Sequence, residues 1–129
     1  MEFTQIKETC LYINDLDKAE KFYHDNLGMP IISKEINRHI FFRCGTSVLL
    51  CFIPETTQKE SNLPPHYATG KQHVAFEVAA KLYEDRKKNL IDLGIKITHE
   101  QEWKEGLKSC YFEDPFGHVL EIVPKGIWE

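Results

Sequence analysis

The sequence predicts an α+β fold of two tandem βαβββ modules whose strands form one cupped, mixed sheet. Three observations point there. The chain repeats itself, each half carries a helical segment between strand-like segments, and the strands alternate apolar and polar residues. The repeat is plainest when "FFRCGTSVLLCFIP" (residues 41–54) is laid over "YFEDPFGHVLEIVP" (residues 111–124). The two align without a gap at an offset of roughly 70 positions. Phe42 then falls on Phe112, Leu50 on Leu120, Pro54 on Pro124 and Cys51 on Glu121. "ETCLYI" (8–13) lies over "HVAFEV" (73–78), and each is followed by a helical stretch that ends in Leu-Gly.

The helices have recognisable ends. Asp15 suits the N-cap of LDKAEKFYHDNL, where Leu16, Ala19, Phe22, Tyr23 and Leu27 recur at helical spacing. Gly28 suits the left-handed residue that stops it. The second helix is expected over about 80–93, with Leu82, Leu90 and Leu93 apolar and Gly94 as the stop. Strands are expected over about 30–36, 37–44 and 48–53 in the first half, and about 95–99, 109–112 and 118–123 in the second. Module one thus covers about 4–54 and module two about 71–124, followed by a short tail. The polar stretch PETTQKESNLPPHYATG between them reads as a surface connection over about 55–70, of a length often used as a lid or arm.

At 129 residues the chain makes one domain with room for its own core. Hydrophobic residues at 42% and charged residues at 28% fit a globular protein and not a disordered one. A net charge of −4 leaves no basic stripe for nucleic acid. No apolar run approaches the roughly 20 residues of a membrane span. MEFTQIKETC lacks the basic-then-apolar pattern of a signal peptide, so a cytoplasmic protein is expected. Cys10, Cys44, Cys51 and Cys110 match no zinc ribbon or CxxC pair, and three of them sit in apolar runs as expected of buried, reduced thiols.

Alternation along the strands sorts the polar anomalies. Glu8, Cys10 and Tyr12 share one face of the first strand, and Thr9, Leu11 and Ile13 the other. His73, Ala75 and Glu77 oppose Val74, Phe76 and Val78. In the last strand Val119, Glu121 and Val123 oppose Leu120 and Ile122. The repeat therefore assigns Glu8, His73 and Glu121 to one kind of face. If that face lay open to water, both glutamates would be ordinary surface residues. Val119 and Val123 beside Glu121, and Leu49 and Ile53 beside Cys51, speak instead for a concave face that encloses a pocket. A buried carboxylate there needs a cation or strong donors, and a divalent metal held by Glu8, His73 and Glu121 satisfies all three groups at once.

"LYINDLDKAEKFYHDNLGM", "HVAFEV" and "YFEDPFGHVLEIVP", in that order and spacing, resemble the vicinal oxygen chelate superfamily of glyoxalases, extradiol dioxygenases, fosfomycin-resistance transferases and bleomycin-binding proteins. The resemblance covers nearly the whole chain and implies a glyoxalase-like fold around a metal site. The family's ligand on the first strand, commonly His, falls on Glu8. Its His at the start of the second module falls on His73, and its Glu after Asp-Pro-x-Gly falls on Glu121. The further Glu that glyoxalase members carry at the end of the first module falls on Cys51. Ser109 and Tyr111, with their repeat partners His39 and Phe41, fall where family members often face substrate. His118 sits where the family has turn residues. Read from the residues alone, Arg38 and Arg43 either pair with an anionic substrate or are solvated at strand edges, and His66 either closes over the site or is a free loop histidine. The family also pairs modules across dimers, so a homodimer is expected.

One imidazole and two carboxylates make a hard ligand set, which tilts the metal to Mn(II), Fe(II) or Mg(II) while Zn(II) or Ni(II) stays open. A Cys51 thiolate as ligand favours zinc. The function implied is a metal-dependent small-molecule enzyme of glyoxalase or dioxygenase type (a lyase, isomerase or dioxygenase). The metal chelates adjacent substrate oxygens and stabilises an enolate or oxyanion, with Glu121 and Glu8 as catalytic groups. The alternative is a metal-free binding or sequestration protein of the bleomycin-resistance type. Ligand stabilisation that ignores chelator marks the second, and stabilisation by metal marks the first.

Overall fold

Asp15 opens the first helix as the spacing predicts: its Oδ1 accepts from the Lys18 N–H at 3.0 Å. The computed structural model describes residues 1–129, in two compact units, Met1–Gly70 and Lys71–Glu129. The first unit runs β1 (Glu8–Tyr12), α1 (Leu16–Ala19), β2 (Ile31–Glu35), β3 (His39–Cys44), β4 (Ser47–Phe52) and α2 (Pro54–Thr57). Its sheet has the order β1-β4-β3-β2, with β1 parallel to β4 and the other pairs antiparallel.

α1 does not continue as a regular helix. Glu20–Asn26 widens into π-helical turns, with the Leu27 N–H donating to the Phe22 carbonyl at 3.0 Å. The wider turn lets two adjacent rings, Phe22 and Tyr23, both bury against the sheet, edge to face at 5.0 Å. Tyr23 then meets Phe42 at 5.4 Å, so the face bearing Leu11, Ile40, Phe42 and Leu49 is the helix-covered core.

The second unit repeats the plan with β5 (His73–Val78), α3 (Tyr83–Asp92), β6 (His99–Glu102), β7 (Lys108–Glu113) and β8 (Val119–Pro124), in the order β5-β8-β7-β6. A 3₁₀ turn, Ala80–Leu82, leads into α3. The strand expected over 95–99 forms later. The Ile95 N–H bonds back to the Leu90 carbonyl at 2.9 Å, so the helix exit holds residue 95 and the β6 ladder begins at His99. Leu120, Ile122, Phe112 and Cys110 form the buried face on the α3 side. Tyr83 Oη and Lys87 Nζ, both from α3, each reach Glu100 Oε2 at 2.7 Å and fasten the helix to β6. No helix is long and apolar enough to cross a membrane.

The gapless overlay of the two halves fails at β4. Arg43 pairs with Val48, five residues on, whereas Glu113 pairs with Val119, six residues on. The first turn is one residue shorter, and a one-residue slip turns every side chain of the following strand to the other face. Tyr111 therefore faces Glu121, but Phe41 faces Leu50, and Ile40 faces Cys51. Cys51 is 0% exposed on the helix-covered side, beside Leu11 and Ile40, and Leu50 holds the place that corresponds to Glu121. The equivalence of Cys51 with Glu121 is thus corrected: the Cys51 side chain belongs to the helix-covered core and not to the opposite sheet face. Glu8 keeps its equivalence, pairing with Val48 as His73 pairs with Val119.

Residues 55–70 form the expected surface connection, mostly exposed, and Thr57 and His66 anchor it to the rest of the first unit. Thr57 is fully buried and its Oγ1 donates to the His66 carbonyl at 2.6 Å. The His66 ring meets Phe52 at 4.6 Å, and its Nδ1 lies 2.7 Å from Tyr12 Oη.

Candidate functional site

In the second unit, the sheet face turned away from α3 carries the polar residues. Register places Glu121 on the central strand β8 between Ala75 of β5 and Tyr111 of β7. Glu121 is 5% exposed. His73, at the start of β5, brings Nε2 to 3.3 Å from Glu121 Oε2. Its other nitrogen, Nδ1, lies 2.8 Å from the Val119 carbonyl. A carbonyl can only accept, so Nδ1 carries the hydrogen. In the neutral ring Nε2 is then a bare lone pair aimed at a carboxylate. Two acceptors that face each other need a proton or a metal between them.

The turn before β8 sets this geometry. Asp114 is buried, and its Oδ1 accepts from the Phe116 and His118 N–H groups at 2.9 Å each. His118, 3% exposed, accepts the Gln72 N–H at Nδ1 (3.1 Å), while the Val119 N–H donates to the Gln72 carbonyl at 2.8 Å. The Asp-Pro-Phe-Gly-His segment thereby pins residue 72 and presents His73 to Val119. The sequence reading of His118 as a turn residue agrees with this role.

Tyr111 stacks on His73 at 6.1 Å, with 25° between the rings. Burial first, then its hydrogen bond and proximity to Glu121, push the Tyr111 hydroxyl above its ordinary pKa. Ser109 is fully buried and accepts from Trp103 Nε1 at 2.9 Å. Trp103, and His99 at 5.7 Å from the Tyr111 ring, join the face without having been singled out in the sequence. His99 ends the strand expected over about 95–99, and its ladder pairing with Tyr111 is what brings it to this face.

In the first unit Glu8 is exposed on the edge strand β1. Cys10 and Tyr12 share its face, and burial raises the pKa of both, for Cys10 with help from Glu8 and for Tyr12 with help from Cys10. Phe41 is half-buried on β3, and His39 is 6% exposed with its ring flat on Phe41 at 3.9 Å. Within neither unit do three or more His, Cys, Asp or Glu side chains gather as a metal-holding group. His73 and Glu121 are the pair that comes together.

His39 carries a pH signature. Burial, and then the Arg38 guanidinium, hold its pKa below the ordinary 6.5, against weaker opposing pulls from Glu35 and Glu60. Between the folded value and 6.5 the unfolded chain binds more protons. Its stabilising share is therefore complete above pH about 6.5 and is lost as pH falls below that. Denaturation of the wild type and of His39→Phe across about pH 5–8 should show a slope at the acid end that the variant lacks.

Residues 5–122 match the family model described as the Glyoxalase/Bleomycin resistance protein/Dioxygenase superfamily. The chain belongs to this superfamily. A crystal structure of lactoylglutathione lyase from Agrobacterium tumefaciens is similar to this superfamily member with a TM-score of 0.94 and 32% identity, covering 99% of this chain and 98% of that one. Glutathione transferase FosA of Serratia marcescens is 31% identical over 117 residues, 91% of this chain and 78% of the relative. Metallothiol transferase FosB of Shouchella clausii (strain KSM-K16) is 29% identical over 121 residues, 91% of this chain and 77% of the relative.

Proposed function

We propose that this superfamily member is a divalent-metal enzyme acting on a small molecule with adjacent oxygens, with a thiol or thiol adduct as substrate or co-substrate. The observation that carries the metal is the His73–Glu121 pair: Nε2 and Oε2 are 3.3 Å apart, with Nδ1 tied to a backbone carbonyl. Donors each about 2.1 Å from one metal, at angles between octahedral and tetrahedral, stand roughly 3.0–3.4 Å apart. The separation therefore fits a shared ion. The carbonyl on Nδ1 supplies the orienting contact that metal-bound histidines commonly have. Glu8 is proposed as the third ligand, because it holds in β1 the register place that His73 holds in β5. The thiol part rests on the similar proteins, whose names cite glutathione, a metallothiol and lactoylglutathione.

A bound divalent ion supplies Lewis acidity for a developing enolate or oxyanion. The chain's own residues do the rest. Glu121 and Glu8 are the carboxylates that hold or move a proton beside the reacting carbon. Tyr111 steadies Glu121 across the β7–β8 ladder, and the fully buried Ser109 Oγ is fixed by Trp103. A hard ligand set favours Mn(II) or Fe(II). A cytoplasmic homodimer completes the reading.

The test is turnover of the methylglyoxal–glutathione adduct and of an epoxide with a thiol, with a catechol as the thiol-free comparison whose sole conversion would overturn the thiol part. At least one of the first two should be converted, should stop after EDTA treatment, and should resume with Mn(II). Turnover that ignores EDTA, or a protein that binds no divalent ion at high micromolar supply, overturns it. Thermal stabilisation by apolar compounds regardless of chelator would point instead to sequestration.

A further inference from the structure

His39 is a buried polar side chain on the face of the first sheet opposite the helix-covered core. Both of its nitrogens are engaged. Arg38 Nη1 lies 2.6 Å from Nδ1, and Ser33 Oγ lies 3.0 Å from Nε2. A guanidinium only donates, so Nδ1 is the acceptor and the ring hydrogen sits on Nε2. That hydrogen is therefore donated to Ser33 Oγ. Glu35 stands 3.7 Å from Nδ1, but its side chain is 63% exposed and leaves this assignment to the closer guanidinium.

Arg38 is itself held in place. Its Nε and Nη2 both donate to the Glu60 carboxylate, the second at 3.2 Å, and the guanidinium lies 5.4 Å from the centre of the Phe52 ring. Every direction in the chain Glu60, Arg38, His39, Ser33 is thus determined by chemistry. The Ser33 oxygen already accepts from His39, so its own hydrogen points elsewhere. This is the reverse of an activated serine. The imidazole has no lone pair facing Ser33 with which to take a proton, so Ser33 is a donor and not a nucleophile.

Ser33 is half-buried and sits directly opposite Phe41 in the β2–β3 ladder. Directly opposed residues have Cβ atoms about 4.5–5.5 Å apart. His39 stacks on one side of the Phe41 ring at 3.9 Å, so one ligand can lie on the part of the half-buried ring that His39 leaves exposed and reach the Ser33 hydroxyl. We propose that Ser33 Oγ–H is a specificity donor to a carbonyl or carboxylate oxygen of an aryl-bearing ligand, whose ring lies on Phe41. His39 and Arg38 are positioning residues that keep the hydroxyl turned outward. This narrows the substrate class of the proposed enzyme and rests on that reading for its catalytic meaning, while the binding itself requires no metal.

The test uses phenylglyoxylate as probe and pyruvate as its counterpart without the ring, titrated calorimetrically into the full chain in EDTA. Wild type should bind phenylglyoxylate at least about tenfold more tightly than pyruvate. Ser33→Ala should weaken phenylglyoxylate about tenfold, and Ser33→Thr, which keeps the hydroxyl, should restore most of it. Long-range proton–nitrogen spectra should show His39 protonated on Nε2 alone, and Arg38→Met should mix the two tautomers. Equal binding by Ser33→Ala, equal affinity for the two probes, or a hydrogen on Nδ1 in the wild type overturns the proposal. Because the titration runs in chelator, it fails or succeeds independently of metal binding at His73 and Glu121.

Discussion

His73→Ala and Glu121→Ala will each weaken Mn(II) binding by at least about 100-fold, measured by titration of the metal-stripped protein. Loss of an outer partner of a metal ligand alone costs about 10–100-fold, so removal of a ligand itself exceeds that range. The two variants should differ in stability. Glu121 is a 5% exposed carboxylate on a central strand, flanked in sequence by Leu120 and Ile122. Without a cation it carries the cost of desolvation. The His73 side chain is 50% exposed, so removing its partner strands no buried charge. Glu121→Met should accordingly leave the metal-free protein as stable as wild type or more so, while abolishing the stabilisation that Mn(II) confers. A Glu121→Met variant with metal affinity unchanged would remove Glu121 from the metal reading. One that is strongly destabilised without metal would show that its partners here outweigh its burial.

Cys51→Glu should destabilise the protein by about 4 kcal/mol or more, on the scale of an unpaired charge placed in a core. Cys51 is 0% exposed, and its ladder neighbours are Leu11 and Ile40, also at 0%. If the gapless repeat were right, the same glutamate would face the side that tolerates Glu121 and would act as an added ligand. The cost would then fall within the roughly 0.5 kcal/mol typical of surface changes. Cys51→Ala, which keeps the site small and apolar, provides the control at about 1.5 kcal/mol or less. Urea denaturation of the three proteins separates the alternatives, and a stable Cys51→Glu variant would overturn the register.

These two results bear on different kinds of information in the chain. Parity within a strand is local, because successive side chains alternate whatever the neighbours do. Glu121 opposing Leu120 and Ile122, and His73 opposing Val74, were therefore legible from the sequence. So were the capping Asp15, the left-handed Gly28 and Gly94 (φ 78° in each), and the twofold βαβββ plan. The superfamily resemblance rested on the same local signals, and the match over residues 5–122 agrees with it.

Relations between strands were not local. Whether Phe41 meets Cys51 or Leu50 depends on the length of one turn, and a turn shorter by one residue is invisible to an overlay that tolerates no gap. The orientation of the His39 ring was equally hidden. It depends on Arg38 being held by Glu60, which lies 22 positions away in the sequence. The sequence by itself determined which residues alternate, the Asp15 cap and the Gly28 and Gly94 stops, and that His73 and Glu121 belong to a polar face. Only the tertiary structure decided that Cys51 is core and that His39 turns Ser33 into a donor. The physical reason is that side-chain parity is written into each strand, whereas register and hydrogen-bond direction exist only between segments that folding brings together.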